Sequence, residues 1–183
     1  MDKEGKEGSF KPVMIVLILS FIIAIYWDSQ TLTFIKDFVH IVLDPSAGAL
    51  LEWNITYGMM IIVLIISLIT ILVQKYTTDQ ETLRELRKEQ KILQEEMKKF
   101  KDHPEKLIEL QKKQFEFVPK TMKLTMRPII FTGIPFILFF RWFHDFFTLA
   151  GNPEFFGFLN WFWFYLIFAI IFSSIFKKIL KVV

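Results

Sequence analysis

The chain has 183 residues, of which 53% are hydrophobic and 22% are charged, and the charged residues fall in separate blocks. This distribution is typical of integral membrane proteins and argues against a soluble globular domain. There is no cysteine, which excludes disulfides and thiolate metal sites. Lys and Arg exceed Asp and Glu by 22 to 19, a balance too mixed for a nucleic-acid-binding arm, so we expect no DNA partner.

Four hydrophobic segments approach the length of about 20 residues that crosses about 30 Å of hydrocarbon. They are residues 12–27, 55–74, 128–147 and 159–176. The first is the weakest, because its apolar run is short and its basic flank also fits the hydrophobic region of a signal peptide. No cleavage site with small residues follows it, which favours a retained short span.

The segment between the first two spans predicts an amphipathic helix, because apolar residues recur at helical spacing over residues 31–43. Phe34, Ile35, Phe38, Ile41 and Val42 would lie together on one face. Such a helix lies either at the membrane interface or against the outer ends of the spans, and the pattern leaves both open. Together with the first hydrophobic segment it makes up an N-terminal region, residues 1–54.

Residues 75–127 carry the charge that the spans lack, with 14 basic and 10 acidic residues. Their apolar residues recur at spacings of three and four, as in the seam of a coiled coil. The seam positions are Leu83, Leu86, Gln90, Leu93, Met97 and Phe100, followed by Leu107, Leu110, Gln114 and Phe117. The short break between the two runs predicts an antiparallel coiled-coil hairpin. Pro104 suits the first turn of the second helix, and Pro119 predicts a kink or a division of that helix.

Basic residues and tryptophans mark opposite ends of the hydrophobic segments. Lys11, Lys75, Arg127, Lys177 and Lys178 mark one end, and Trp27, Trp53, Trp142, Trp161 and Trp163 mark the other. Basic residues stay in the cytoplasm and tryptophan favours the interface. We therefore predict a multi-pass protein of the cell (plasma) membrane, with the hairpin and the basic tail 177–183 in the cytoplasm and the loop 148–158 outside.

Three spans carry hydroxyl or amide side chains near their predicted cytoplasmic ends. These residues are Ser67, Thr70 and Gln74, then Thr125 and Thr132, and finally Ser173 and Ser174. If these faces converge, they line a polar groove in which a polar segment can enter the membrane without full desolvation. Alternatively, the hydroxyls bond carbonyls of their own helices or allow close packing between helices.

Other side chains are candidates for charge and for contacts with partners. Arg141 and Asp145 are four residues apart, which predicts a local ion pair or an interfacial anchor, with Arg141 facing the groove as the alternative. Methionine adapts to irregular apolar partners, so Met97, Met122 and Met126 either contact incoming clients or serve as hairpin core and lipid contacts. The basic residues near the hairpin tip, which either contact a ribosome or are merely solvated, are Lys98, Lys99, Lys101 and Lys106.

Four short motifs, in this order, resemble those of a known family. A span ends in LVQKYTTDQE (72–81), the hairpin contains LRKEQK (86–91), MRP (126–128) opens the next span, and FSSIFKKIL (172–180) closes the last. Over residues 55–181 the chain resembles the archaeal YidC-like proteins of the YidC-type insertase superfamily. Related members of that superfamily are the insertase subunit of the ER membrane protein complex and the tail-anchor receptor of the Get pathway.

The resemblance implies an all-α integral membrane protein with three core transmembrane helices and a cytosolic coiled-coil hairpin between the first and the second. It also implies insertion, without ATP, of weakly hydrophobic segments with short translocated tails. The partners would be the lipid bilayer, nascent or newly released membrane proteins, and the ribosome. Bacterial members carry a groove arginine that the span 55–74 lacks. Arg127, Arg141 and Lys177 are the candidates to supply a charge in its place.

The alternative function is that of a membrane-anchored coiled-coil scaffold or receptor for a cytosolic partner, without insertase activity. In that case the hydroxyl-bearing faces would be closed contacts between helices. The sequence offers no phosphate-binding loop, no paired metal ligands and no nucleophile constellation. We therefore expect neither an enzyme nor a bound cofactor or metal.

Overall fold

The computed structural model describes residues 10–101 and 103–182, which form an all-helical bundle. Its α-helices are α1 Phe10–Tyr26, α2 Thr33–Leu43, α3 Ala49–Trp53, α4 Ile55–Thr77, α5 Gln80–Lys99, α6 Pro104–Thr125, α7 Arg127–Leu149 and α8 Trp161–Leu180. A 3₁₀ turn, Gln30–Leu32, precedes α2, and a π-helical turn, Asp44–Gly48, follows it. The prediction of an all-α membrane protein is confirmed.

Three helices in the described part of the chain are long and apolar enough to cross a membrane, namely α4, α7 and α8. Each extends beyond the predicted span at one end or both. The extension matters most in α8, which continues through Lys177 and Lys178 to Leu180. Most of the predicted basic tail is therefore the last turn of a helix, where positive charge interacts favourably with the helix dipole.

The first hydrophobic segment forms α1, which lies beside α7 and runs in the same direction. Val16 contacts α7 so closely that a Cβ on Gly133 would lie 2.7 Å from its Cγ1 atom. α1 has 17 residues, about 26 Å at 1.5 Å per residue. The chain then turns by 117° into residues 30–53, and this bent pair would supply a fourth crossing if it counts as one span.

The two ends of the bundle differ in their side chains. We call the end where α4 and α7 adjoin α5 and α6 the hairpin side, and the opposite end the tryptophan side. Trp27 and Trp142 are fully buried there, and their indole N–H groups donate to Asp145 and Asp44 at 2.7 Å each. These two tryptophans therefore hold helices together from within, whereas Trp53, at 70% exposure, is free to reach the interface.

The charged block forms two helices, α5 and α6, that pack against each other. Asp79 caps α5 by accepting a hydrogen bond from the Thr82 N–H at 3.2 Å. Pro104 occupies the first turn of α6, as its fixed φ angle favours. All of the predicted seam positions are buried or half-buried. α6 continues through Pro119 to Thr125, so of the two predicted alternatives the division of this helix is wrong, and a kink at Pro119 stays a prediction.

Helices α7 and α8 meet on the tryptophan side through aromatic side chains. The Phe147 and Trp161 rings stack with centroids 5.8 Å apart, and the Phe140 ring meets Tyr165 edge-on at 4.9 Å. α4 packs along α8 over much of its length. α4 also contacts α7 directly, and a groove is left where the side chains of these two helices do not fill the space between them.

The chain at Gly58 of α4 lies very close to α3, and a substitution there can test how closely the two helices pack. A Cβ on Gly58 would collide with the Leu50 carbonyl oxygen, whereas a Cβ on Gly48 would meet its nearest atom at 3.6 Å, an ordinary contact. Because backbone cannot move aside as a flexible side chain can, we expect Gly58→Ala to lower the free energy of unfolding by about 1–3 kcal/mol.

Thermal unfolding in detergent measures this effect, with Gly48→Ala as the matched control. The control should unfold close to the temperature of the unmodified chain. Equal unfolding temperatures for Gly58→Ala and the unmodified chain would contradict the close α3–α4 contact.

Candidate membrane groove

A cavity of about 440 Å³ lies between α4 and α7. Leu43, Ser46, Ala47 and Leu50 line it at the tryptophan side, and Tyr165 lines it from α8. The α4 wall consists of Ile62, Ile65, Ile66, Ile69, Thr70 and Val73. The α7 wall consists of Phe131, Thr132, Pro135, Phe136, Phe139 and Phe140. The cavity is thus a groove along two membrane helices, lined at one end by the segment that joins α2 to α3.

The rim of the groove is apolar and exposed. Ile65 and Ile69 on α4, and Phe131 and Phe136 on α7, all have large exposed fractions. In a membrane, such side chains face hydrocarbon rather than water. An apolar segment lying in the groove could therefore pass sideways into lipid without crossing a polar boundary.

The lining of the groove is mainly apolar, whereas the sequence predicted a polar one. Thr70 and Thr132 both line it, one from each wall. The Thr132 hydroxyl donates to the Pro128 carbonyl at 2.9 Å, and the Ser46 hydroxyl donates to the Val42 carbonyl at 2.7 Å. No Asp, Glu, Lys, Arg or His is among the described residues that line the groove.

The other predicted groove residues lie outside this lining. Ser67, at 3% exposure, is buried, on the stripe of α4 that also contains Met59, Val63 and Ile71. Thr125 and Ser174 donate their hydroxyls to the carbonyls four residues earlier, at 2.9 and 2.7 Å. Gln74 and Ser173 are half-buried near the hairpin side. The bonds of Thr125 and Ser174 agree with the alternative that the sequence left open, in which the hydroxyls bond carbonyls of their own helices.

The three candidates for a groove charge also lie outside the lining. The Arg141 guanidinium donates to the Asp28 carboxylate at 2.9 Å and lies 5.8 Å from the centroid of the Trp27 ring. It therefore faces the end of α1, and its ion pair is with Asp28 instead of the predicted Asp145. Arg127 and Lys177 are half-buried at the hairpin side.

The candidates for partner contacts are distributed along the hairpin. Met97 is half-buried in the seam, Met122 is exposed on α6, and Met126 is half-buried where α6 meets α7. Near the tip, the exposed basic residues are Lys98, Lys99, Lys101 and Lys106. The Lys106 ammonium lies 4.4 Å from the centroid of the Phe100 ring.

A cluster of charged side chains joins α1, α2 and α7 on the tryptophan side; we call Asp28, Lys36, His40, Arg141 and Asp145 the anchor cluster. The Asp145 side chain is only 13% exposed. Its carboxylate accepts a hydrogen bond from the Trp27 indole and lies 3.1 Å from the Lys36 ammonium and 3.4 Å from His40 Nε2. The hydrogen bond from Lys36 lowers the pKa of Asp28, and the same bond raises the pKa of Lys36.

Helix α2 turns its polar side inward and its apolar side outward. Lys36 and His40 point to Asp145, while Phe34, Phe38 and Ile41 are exposed. A helix on a water-soluble surface would do the reverse, so α2 is suited to lie against lipid. Of the two alternatives that the sequence left open, the packing of this helix on a span is therefore observed, since α2 contacts α7, and its position at the membrane interface stays a prediction.

The inward face of α2 determines where residues 43–50 lie. Asp44, at the end of α2, accepts a hydrogen bond from the Trp142 indole, and the next turns of chain line the groove. Sequence reasoning missed this arrangement. The available signal was a lysine and a histidine four residues apart on a mainly apolar helix, together with an aspartate, Asp145, in the span 128–147.

The chain is similar to a known family of membrane proteins. The family model described as "Integral membrane protein EMC3/TMCO1-like" matches residues 40–156, which is more than half of the chain. The matched part runs from α2 through the hairpin to the loop after α7, so it includes both walls of the groove. No curated protein and no solved structure matched the chain.

Removing one donor tests the anchor cluster. Trp27→Phe keeps an aromatic ring in a fully buried position but deletes the N–H that bonds the Asp145 carboxylate. Hydrogen bonds to charged groups contribute about 1.5–3 kcal/mol, so we expect a loss of that size in the free energy of unfolding.

The measurement is thermal unfolding in detergent, with Trp53→Phe as the control because Trp53 is largely exposed. Equal unfolding temperatures for the two variants would mean that the Trp27–Asp145 bond does not stabilise the bundle.

Proposed function

Because the chain belongs to the EMC3/TMCO1-like family of integral membrane proteins, a family related to the YidC/Oxa1/Alb3 insertases, we propose that it is a membrane insertase. It helps weakly hydrophobic segments with short translocated tails to enter the bilayer. The observation that carries the proposal is the groove between α4 and α7, whose exposed apolar rim connects it with lipid.

The physical basis is the length of the apolar barrier. A tail that crosses unaided must lose its hydration over about 30 Å of hydrocarbon, and each unsatisfied polar group costs several kcal/mol. A groove replaces part of that path with a protein wall, on which Thr70 and Thr132 offer hydroxyl oxygens. The apolar part of the client meanwhile contacts the isoleucines of α4 and the phenylalanines of α7, and then moves past the rim into lipid.

The proposal includes an orientation. Basic residues collect on the hairpin side, among them Lys75, Lys123 and Lys178, and basic segments remain in the cytoplasm. The hairpin therefore faces the cytoplasm of a cell (plasma) membrane, where clients and ribosomes arrive. Met122 is positioned to contact clients there, and the four lysines near the tip are positioned to contact ribosomal RNA.

A different observation favours the alternative function, a membrane-anchored scaffold or receptor. Ile108, Phe115, Val118 and Met122 are exposed on α6, at spacings of seven, three and four. They form a second apolar stripe, separate from the seam that faces α5. Exposed apolar stripes of this kind mark surfaces that bind protein partners.

Filling the groove distinguishes the two functions. Thr70→Trp places a large side chain in the groove, and Leu64→Trp places the same side chain on the exposed surface of the same helix, outside the groove lining. In liposomes containing the purified protein, we expect Thr70→Trp to lower the insertion of a short-tailed client by about fivefold, equivalent to about 1 kcal/mol. Leu64→Trp should insert the client as the unmodified chain does.

A second variant tests the stripe. Ile108→Gln combined with Phe115→Gln removes much of its apolar surface without touching the seam. If insertion is unchanged by Thr70→Trp, the groove has no part in it. If the unmodified chain inserts no client above protein-free liposomes but binds a cytosolic partner that the stripe variant no longer binds, the scaffold function is correct.

A further inference from the structure

The loop between α7 and α8 contains a short turn that is closed by backbone hydrogen bonds. The Phe155 N–H donates to the Leu159 carbonyl at 2.6 Å, and the Leu159 N–H donates to the Phe155 carbonyl at 2.9 Å. The three residues between this pair are Phe156, Gly157 and Phe158; we call them the aromatic tip. Because both bonds lie in the backbone, the position of the tip does not depend on its own side chains.

A buried phenylalanine fastens this turn to the two membrane helices. The Phe155 side chain is only 1% exposed. Its ring centroid lies 4.3 Å from that of Phe164 on α8 and 5.8 Å from that of Phe147 on α7. The aromatic tip is therefore joined to the ends of both helices and cannot move far without them.

The tip itself is left uncovered by the part of the chain that the structure describes. The Phe156 and Phe158 side chains are 61% and 74% exposed. A Cβ on Gly157, between them, would have no described atom within 4 Å. Two large apolar side chains thus project on either side of a residue that has open space around it.

The backbone at the tip makes this exposure more costly. Phe156 has a φ of 56°, in the left-handed region that a bulky residue rarely adopts. Turns that need this conformation usually place Gly or Asn there, and Asn would also be well hydrated. A phenylalanine at this position is unfavourable in water on both counts. Apolar surroundings would offset the cost by removing its ring from water.

The surroundings of the tip indicate which apolar partner covers it. The tip connects the tryptophan-side ends of two membrane helices. In the first turn of α8, Phe162 and Trp163 are 40% and 52% exposed, as suits side chains at a membrane interface. Glu154 is the only charged residue in the segment 148–163. The segment therefore has no cation for an anionic headgroup or an acidic protein, but it has apolar surface that continues that of α8.

We propose that the aromatic tip is a lipid-binding wedge, in which Phe156 and Phe158 enter the leaflet on the tryptophan side and contact acyl chains. The partner is the phospholipid bilayer, which is bound through its hydrocarbon and not through headgroup charge. Because Phe155 joins the tip to α7 and α8, the wedge fixes the depth at which the ends of these helices lie. The proposal does not depend on the insertase function.

The test measures the depth of a fluorophore on the loop. Because the chain has no native cysteine, a single cysteine at Phe158 or at Asn152 can carry an environment-sensitive label. Asn152 is the matched control, since it is an exposed, polar residue of the same loop. The purified full-length protein is placed in phosphatidylcholine liposomes at a low protein-to-lipid ratio. Bromine on the acyl chains quenches labels in lipid, and iodide quenches labels in water.

We expect the two labels to lie in different phases. The label at position 158 should lie about 5–10 Å inside the boundary between headgroups and acyl chains, as the apolar side chains of interfacial segments do. Bromine should therefore quench it strongly and iodide weakly. The label at position 152 should show the reverse order.

A second variant separates contact with lipid from packing within the protein. Phe156→Asn removes the aromatic ring but suits the left-handed conformation, so the turn should keep its shape. In the chain labelled at position 158, this substitution should move the label towards water and reduce its quenching by bromine. The unfolding temperature in detergent should not fall, because the Phe156 ring is largely exposed.

The results that decide the proposal are distinct. Bromine quenching at position 158 that Phe156→Asn reduces, with iodide quenching at position 152, would support the wedge. Equal quenching of the two labels by either agent would overturn it, as would bromine quenching at position 158 that Phe156→Asn leaves unchanged. A label at position 158 that neither agent reaches would also overturn it, because protein, such as a second copy of the chain, would then cover the tip.

Discussion

The arrangement of this bundle depends on one carboxylate at the tryptophan side of a membrane helix. Asp145 of α7 is nearly buried, and donors from the end of α1 and from α2 converge on it. A buried carboxylate is costly in a membrane unless it is paired and hydrogen-bonded. Satisfying Asp145 therefore requires α2 to turn its lysine and histidine inward, which leaves its phenylalanines facing lipid. The same packing carries residues 43–50 to the end of the groove.

The groove follows from how the remaining helices share their apolar faces. α4 uses the stripe that contains Ser67 for burial, and the neighbouring isoleucines are left to line the cavity. α7 is held to α8 by aromatic rings on the tryptophan side, while its first turns adjoin α6 on the hairpin side. On the tryptophan side the α7 wall is thus held by α8, and on the hairpin side it is flanked by α6. This geometry suits a client that approaches from the hairpin side and leaves sideways into lipid.

The spacing of apolar residues along the sequence predicted the features that are determined within a single helix. The membrane spans, the start of α6 at Pro104 and the seam residues of α5 and α6 all follow from spacing and local chemistry. The polarity of the groove did not follow, because a hydroxyl on a membrane helix can satisfy itself on its own backbone, as Thr132 and Ser174 do. The partner of Arg141 was also missed, since Asp28 lies 113 residues away in sequence. Only the packing of α1 on α7 brings the two together.

The central claim is that a client segment lies between α4 and α7 while it enters the membrane. The chain has no native cysteine, so a single cysteine carrying a photoreactive group can be placed at Thr70 in the groove or at Ile61 on the exposed surface of the same helix. A client is arrested during insertion and then crosslinked by light. The account predicts strong crosslinks from position 70 and weak ones from position 61. Equal crosslinking from the two positions, or crosslinks from position 61 alone, would contradict it.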